Sequence, residues 1–283
     1  MESGRPGPRG LPPADDAGGA RIEVPIRRWS RAAGLQEVAD RLAVERTVEI
    51  AAAGVVLARL QATPRDIEDL AAGFVFAEGI VEDAGAIGAV TAAPDLSRVD
   101  VELPGADPAA LRDRSRQTAL ASGCGGAHFA SEIRRRAADA ARPATASPSG
   151  DEILAAVREL EGSGELFRST GCAHGAALWR DGACLAFRED IGRHNAADKA
   201  AGAVGRAGGD TRGCLLVTTG RLTADIAAKG VRLGVWGIAS RSAATDRAVE
   251  LAAGFGMVLA GFVRGGRFNV YCGANRLGQG GRA

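Results

Sequence analysis

The segment FREDIGRHNAADK, at Phe187–Lys199, places charged side chains, a histidine and an asparagine directly after an apolar stretch. An ordinary connection between strands needs only about two to five residues. Arg188 and Arg193, which follow this apolar stretch, carry the positive charge that could bind an anion. The segment therefore predicts a binding site. A solvated helix start, stabilised by side-chain pairs one turn apart, is the structural alternative.

Three further polar segments follow apolar runs in the same way: TTGRLTADIAAK, IASRSAAT and RGGRF. In a sheet of parallel strands, the carboxyl ends meet at one edge, where ligands bind. The cations that would face this edge are Arg188, Arg193, Arg221, Lys229, Arg241, Arg264 and Arg267. The glycines that would let the backbone approach a ligand there are Gly192, Gly220, Gly265 and Gly266. With the positive ends of the helix dipoles, they predict an anion site for a phosphorylated or nucleotide-like ligand.

Cys124 is flanked by glycines in the segment ASGCGGAH. Such a backbone predicts an exposed loop that presents the thiolate, the reactive form of the side chain, to two partners in turn. His128 is close enough in sequence to assist formation of the thiolate. A buried, inert cysteine is the structural alternative, and composition alone leaves both open.

The composition of the 283 residues, 46% hydrophobic and 24% charged, is that of a soluble globular protein. A net charge of +1 argues against a nucleic-acid-binding protein. Five cysteines without a CxxC pair favour a reduced, cytoplasmic setting, with Cys184 and Cys214 in the core and Cys172, beside His174, in a tight turn. No apolar run reaches the roughly 18 residues of a membrane span.

The N-terminal part predicts a disordered leader at 1–20 and a smaller α+β domain at 21–142 that carries the Cys124 loop. RTVEIAAAGVVLARL and VTAAPDLSRVDVELP indicate strands. TPRDIEDLAAGFVFAEGI indicates a helix capped by Thr63 and stopped by Gly79, and IRRRAADAARP indicates a second helix before Pro143.

A linker at 143–150 leads to a domain at 151–275 and a tail at 276–283. Ser149 and Glu152 form the capping box of a helix, and Asp181-Gly182 is the turn of a hairpin. Apolar strands then alternate with helices, one of them opened by Thr245, which predicts a mostly parallel sheet with helices on its faces. The fold class is therefore α/β.

A metal site is not expected. Zinc deaminases use an HxE motif with a distant PCxxC motif, and neither is present in the chain, which has three histidines.

Several segments, in this order, resemble the FdhD family: TGCAHGAAL, REDIGRHNAADK, TGRLTADIAAKG, SRSAATDRAVELA and GFVRGGRFNVY. TPRDIEDLAAGFVFAEGI in the N-terminal half is similar to the family as well, so the resemblance spans roughly Ile22 to Cys272. These proteins are accessory sulfurtransferases of formate dehydrogenase. The resemblance implies a sulfur carrier that takes persulfide sulfur from a cysteine desulfurase and passes it to the molybdenum cofactor, in its bis-molybdopterin guanine dinucleotide form. It also implies a homodimer and a C-terminal fold similar to cytidine deaminase, without zinc, in which GDP could mimic the cofactor.

By this resemblance, Cys124 carries the sulfur, and Arg193, His194, Asn195 and Lys199 belong to the cofactor-binding face. The C-terminal cofactor contact falls on Phe262, Val263, Arg264, Gly265, Gly266 and Arg267. Two departures are visible. Many family members have a CGxCG pair where this chain has one cysteine, and Asp225 stands where a glutamate is usual. The single cysteine keeps an alternative open, a cofactor-binding chaperone without sulfur transfer; a nucleotide deaminase ranks third.

Overall fold

The structure, a computed structural model, describes residues 19–115 and 149–278. Several sequence predictions fall outside these residues: Cys124, His128, the helix IRRRAADAARP, most of the linker, most of the leader and the end of the tail.

The described strands form a ribbon and two sheets. The ribbon pairs β1 (Arg21–Ser30) with β2 (Gly34–Ala43). A four-stranded sheet, in the order β4-β3-β6-β5, contains β3 (Arg46–Ala52), β4 (Val55–Ala62), β5 (Val90–Ala92) and β6 (Arg98–Val101). A six-stranded sheet, in the order β12-β11-β10-β9-β7-β8, contains β7 (His174–Arg180), β8 (Ala183–Asp190), β9 (Leu215–Thr218), β10 (Gly237–Ser240), β11 (Val258–Arg264) and β12 (Arg267–Cys272).

The α-helices whose two ends both lie within the described residues are α1 (Ile67–Ala77), α2 (Gly150–Ser163), α3 (Glu165–Thr170), α4 (Arg193–Arg206), α5 (Ala224–Arg232) and α6 (Asp246–Gly254). Residues 108–115 are also helical. No helix within 19–115 or 149–278 combines the length and the apolar character that crossing a bilayer requires.

The six-stranded sheet is mixed. β9, β10 and β11 run parallel, whereas β7, β8 and β12 are antiparallel to their neighbours. The α/β class is thus confirmed, but the parallel part is limited to the centre of the sheet. The predicted hairpin turn is also confirmed: Asp181 and Gly182 join β7 to β8 with φ angles of 53° and 78°, the left-handed geometry that a two-residue turn requires.

Successive side chains of a strand point to opposite faces of the sheet, and in this sheet both faces are apolar. On one face, Ile153 and Leu160 of α2 pack with Trp179. On the other, α4, α5 and α6 pack over Leu178 and Ile238. Both faces are therefore buried, as expected of a sheet with a parallel centre.

Helix α1 connects the two sheets. Its Leu70 packs in the core of the four-stranded sheet, and its Phe76 packs in the core that contains α4. Glycines let α1 and α4 touch backbone to backbone. A Cβ atom on Gly73 would lie 1.7 Å from the carbonyl oxygen of Asp198, and one on Gly202 would lie 1.9 Å from that of Asp69.

The predictions of where helices begin and end were partly confirmed. The Ser149–Glu152 capping box is confirmed, and Thr245 caps α6 by accepting a hydrogen bond from the Ala248 backbone. Gly79 ends α1 with φ of 68°. The prediction that Thr63 caps α1 is wrong.

The helix α1 instead begins at Ile67, after Asp66, whose backbone is left-handed. Thr63 uses its N–H and its hydroxyl to donate hydrogen bonds of 3.0 Å each to Asp190, 127 residues away. Thr63 therefore makes a long-range contact with Asp190 and not the local helix cap that the sequence predicted.

Candidate functional site

The predicted ligand-binding edge lies where β9, β10 and β11 end. The first residues of β7 lie at the same edge, because β7 is antiparallel to β9 and Ala176 pairs with Thr218. Helix α4 begins at this edge too, directly after β8. We call this edge the strand-end site; it comprises His174, Thr219–Asp225, Gly192–His194, Ser240–Ser242 and Phe262–Arg267.

Hydrogen bonds join the loops that follow the three parallel strands. The Ser240 hydroxyl donates to the Gly220 carbonyl at 2.6 Å. The Phe262 N–H donates to the Ser242 carbonyl at 3.0 Å, and the Leu222 N–H donates to the Ala243 carbonyl at 2.9 Å. The loops therefore form one continuous wall, as the sequence predicted for segments that follow neighbouring strands.

Two helix starts at this wall lack side-chain caps. Helix α4 follows Gly192, which has no side chain to cap it, and α5 follows Thr223, whose hydroxyl makes no capping bond. The loop before α5 lies against α4, since a Cβ atom on Gly220 would be 2.7 Å from the Cβ of Arg193. Uncapped first-turn N–H groups are donors available to an anion.

Buried polar atoms without a partner cluster at the same place. Among the described residues, Nε of Arg193, Nε2 of His194 and Oγ1 of Thr223 are buried and have no hydrogen-bond partner. Buried polar groups normally have a partner in the protein or in ordered water, so three without a protein partner beside two uncapped helix starts mark this place as the candidate binding site. Thr223 was not among the predicted site residues, although its position at the start of a helix in TGRLT was a usable signal.

The site is positively charged. Burial and the neighbouring charge of Arg221 lower the pKa of Arg193, while Asp225 acts in the opposite direction. Burial, Arg193 and Arg221 also lower the pKa of His174, whose Nδ1 lies 3.1 Å from the Thr219 hydroxyl. The arginines therefore supply the charge here, and His174 contributes as a neutral ring.

The predicted C-terminal contact, Phe262–Arg267, forms the hairpin between β11 and β12. Gly265 and Gly266 occupy its turn with φ of 58° and 75°. Arg264 and Arg267 pair across the turn and are exposed, and the Arg264 guanidinium lies 5.4 Å from the ring centroid of Phe262.

Two residues of this segment differ from the rest. Phe262 has φ of 53°, a left-handed conformation that is unusual for a bulky side chain, and it sits within a bulge of the β11–β12 ladder. Strain of this kind concentrates at functional sites. Val263, by contrast, is buried in the core, so its side chain serves packing.

Lys199 and Asn195 do not lie on the open edge. Lys199 is 0% exposed, and its ammonium lies 2.7 Å from Asp190 and donates to the Thr63 hydroxyl at 2.8 Å. Asn195 donates to Asp190 at 2.9 Å and to the Gln61 carbonyl at 2.8 Å. These contacts tie α4 to the N-terminal part of the chain, so a contact of either residue with a cofactor stays a prediction.

Lys229 is also internal, at 4% exposure. Its ammonium lies 2.7 Å from Glu78 and 2.8 Å from Asp198. Burial alone would lower the pKa of Lys229, but the two carboxylates outweigh burial and raise it, so the side chain stays charged. The expectation that Lys229 faces the crevice is therefore wrong, because Glu78 and Asp198 hold it in a buried ionic cluster.

Two other predicted cations are paired. Arg188 binds Asp69 at 2.8 Å, again between the two parts of the chain. Arg241 pairs with Glu161 at 3.0 Å on the surface. Arg221 is exposed at the strand-end site, beside Arg193. The edge thus keeps Arg193, Arg221, Arg264 and Arg267 as its open cations.

A separate cavity of about 260 Å³ lies between α1, α4 and the segment after α1. Its lining is mostly small and apolar, including Ala72, Gly85 and Ala201, with Arg206 as its one charged residue. None of the predicted site residues lines it, and its chemistry does not suit an anion.

The fold and the site define an α/β protein with a cationic edge built at two helix starts. The sequence pattern of the FdhD/NarQ family matches residues 43–278, so the chain belongs to the FdhD/NarQ family.

Relatives agree with this family assignment. The chain is 37% identical, over 89% of its length and 88% of the relative's, to a sulfur carrier protein FdhD from Cupriavidus necator. It is 36% identical to the protein of that name from Agrobacterium fabrum, covering 90% of this chain and 97% of the relative. A crystal structure from Desulfotalea psychrophila, provisionally described as a formate dehydrogenase accessory protein, matches with a TM-score of 0.73 at 27% identity, covering 91% of this chain and 99% of that one.

Proposed function

We propose that the protein is a sulfur carrier for formate dehydrogenase. It accepts persulfide sulfur on Cys124 from a cysteine desulfurase and passes the sulfur to the molybdenum cofactor in its bis-molybdopterin guanine dinucleotide form. Family membership and the names of the relatives support the carrier role. The observation that carries the cofactor part is the set of unpartnered buried polar atoms at the two helix starts.

The residues at the strand-end site fit a phosphorylated dinucleotide. Arg193 and Arg221, with the N–H groups that begin α4 and α5, suit phosphate oxygens. The exposed hairpin Phe262–Arg267 would contact the ligand further out, where Arg264 and Arg267 add charge and the two glycines admit close approach. Asn195, Lys199 and Lys229 would act beneath the site by fixing α4 and α5.

The sulfur chemistry belongs to Cys124. Its thiolate attacks the terminal sulfur of the donor persulfide; the new S–S bond forms as the donor's S–S bond breaks, and the donor cysteine leaves as a thiolate. Delivery of this sulfur as sulfide requires two electrons, which a dithiol reductant supplies as it becomes a disulfide.

Several finer features belong to the same proposal. They are a cytidine deaminase-like fold for residues 151–275, the domain boundary near residue 142, a homodimer, a cytoplasmic location, GDP as a mimic of the cofactor and a protein without zinc. Of these features, the mixed sheet with helices on its faces bears only on the fold of residues 151–275.

Mass spectrometry tests the carrier role. After incubation with a cysteine desulfurase and cysteine, the wild-type chain should gain about 32 Da per sulfur atom, and Cys124→Ala should gain nothing. Cys172→Ala is the matched control, because Cys172 is an exposed free thiol and its removal should leave the adduct in place. An adduct that persists in Cys124→Ala and disappears in Cys172→Ala would move the carrier role to Cys172.

The single cysteine in ASGCGGAH favours one other function, a chaperone that holds the cofactor without transferring sulfur. This alternative predicts guanine nucleotide binding with no sulfur adduct on any thiol, and the same experiment decides between the two.

A further inference from the structure

His194 has a free hydrogen-bonding atom at the strand-end site. It lies in the first turn of α4, and its Nε2 is buried without a hydrogen-bond partner among residues 19–115 and 149–278. A buried ring nitrogen without a hydrogen-bond partner is unfavourable, so a ligand group that supplies the partner would be bound more tightly.

Fixed charges surround this imidazole. Among the charges that lower the pKa of His194, Lys229 of α5 has the largest effect; Glu78 and Asp198 hold this lysine in place. Arg193, which precedes His194 in α4, has the next largest effect. Glu78, after α1, acts in the opposite direction, and His174 of β7 adds a weaker influence. Burial, Lys229 and Arg193 together lower the pKa of His194 to about 4, so its ring is neutral near pH 7.

A neutral imidazole provides one donor and one acceptor but no charge. Phosphate oxygens are served better by the unpartnered Nε of Arg193 and by the first-turn N–H groups of α4 and α5. The free nitrogen of His194 therefore suits a different part of the ligand.

We propose that His194 recognises an uncharged hydrogen-bonding group of the ligand, of the kind carried by a heterocyclic base or a ribose, and does not hold its phosphates. This inference rests on the proposed function, in which a guanine dinucleotide binds at the strand-end site. It makes His194 a specificity residue and Arg193 the phosphate residue of one site.

Calorimetry with two probes tests this division. The probes are GDP and inorganic pyrophosphate, which lacks the base and the ribose. His194→Phe should lower the affinity for GDP roughly tenfold and change that for pyrophosphate by no more than about twofold. His194→Gln, which keeps a hydrogen-bonding group, should recover part of the loss, whereas Arg193→Ala should weaken both probes.

The outcomes separate the two proposals. If the wild-type chain binds neither probe, the cofactor site itself is wrong. If GDP binds and His194→Phe weakens both probes equally, or weakens neither, the assignment of His194 is wrong and the cofactor site stands.

Nuclear magnetic resonance of the wild-type chain covers the case in which the His194 variants fail to fold. The chain has three histidines, so the His194 ring signals can be assigned by elimination with His128→Gln and His174→Gln. GDP should shift these signals while the ring stays neutral, and pyrophosphate should leave them in place. A ring that becomes protonated when pyrophosphate binds would overturn the proposal.

Discussion

Single residues at the strand-end site fall into two groups that the sequence does not distinguish. Arg193 and Arg221 remain open to a ligand, whereas Lys199 and Lys229 form buried ion pairs with carboxylates. Residue type and position after a strand predicted Arg193, Arg221 and Lys229 as ligand-facing, and the family resemblance added Lys199. The partners that bury the two lysines come from distant parts of the chain; Glu78, for example, is 151 residues from Lys229. Such pairing depends on the tertiary fold, so local patterns could not reveal it.

The neutral ring of His194 predicts an acid-sensitive fold. Its pKa is about 4 in the folded chain and near 6.5 in an unfolded one, so between these values the unfolded chain binds more protons. Stability is therefore intact above pH 6.5 and falls as the pH drops towards 4, by up to about 3 kcal/mol from this residue.

Urea unfolding of the wild-type chain and of His194→Gln across this pH range measures the effect. The stability difference between the two should change with pH, since glutamine does not titrate. Parallel pH profiles would show that His194 has an ordinary pKa.

Secondary-structure elements were predictable where their signals are local. The Asp181-Gly182 turn and the Ser149 capping box depend on neighbouring residues, and both are confirmed. The cap assigned to Thr63 failed because Asp190 binds that threonine from another sheet. The β1–β2 ribbon was not predicted as a hairpin; most of its residues are exposed or half-buried, so its strands carry little of the alternation that marks a one-sided strand.

The crossing of α1 and α4 gives a prediction at this scale. Gly73→Ala and Gly202→Ala should each cost about 3 kcal/mol or more, because the added methyl group meets backbone atoms that cannot move without separating the helices. Denaturant midpoints measure this directly. Gly162→Ala in α2 is the matched control, since nothing lies within 4 Å of its Cβ, and it should be neutral or stabilising by up to about 1 kcal/mol. Equal midpoints for all three variants would refute the close helix contact.

At the scale of the whole molecule, hydrogen bonds and ion pairs connect the N-terminal part of the chain to the six-stranded sheet and its helices. The contacts are Thr63 with Asp190 and Lys199, Asp69 with Arg188, and Glu78 with Lys229. Asp190 also accepts hydrogen bonds from the Gly192 N–H and from Asn195 at the start of α4, so these contacts fix that helix start to the N-terminal part of the chain.

The most direct test of the sulfur-carrier account is formate dehydrogenase activity in a bacterial strain that lacks its own member of the family. The wild-type chain should restore activity, Cys172→Ala should restore it equally, and Cys124→Ala should restore none while accumulating as a folded protein. Full activity with Cys124→Ala would contradict the account, because a carrier without its thiol has no atom on which to hold the sulfur.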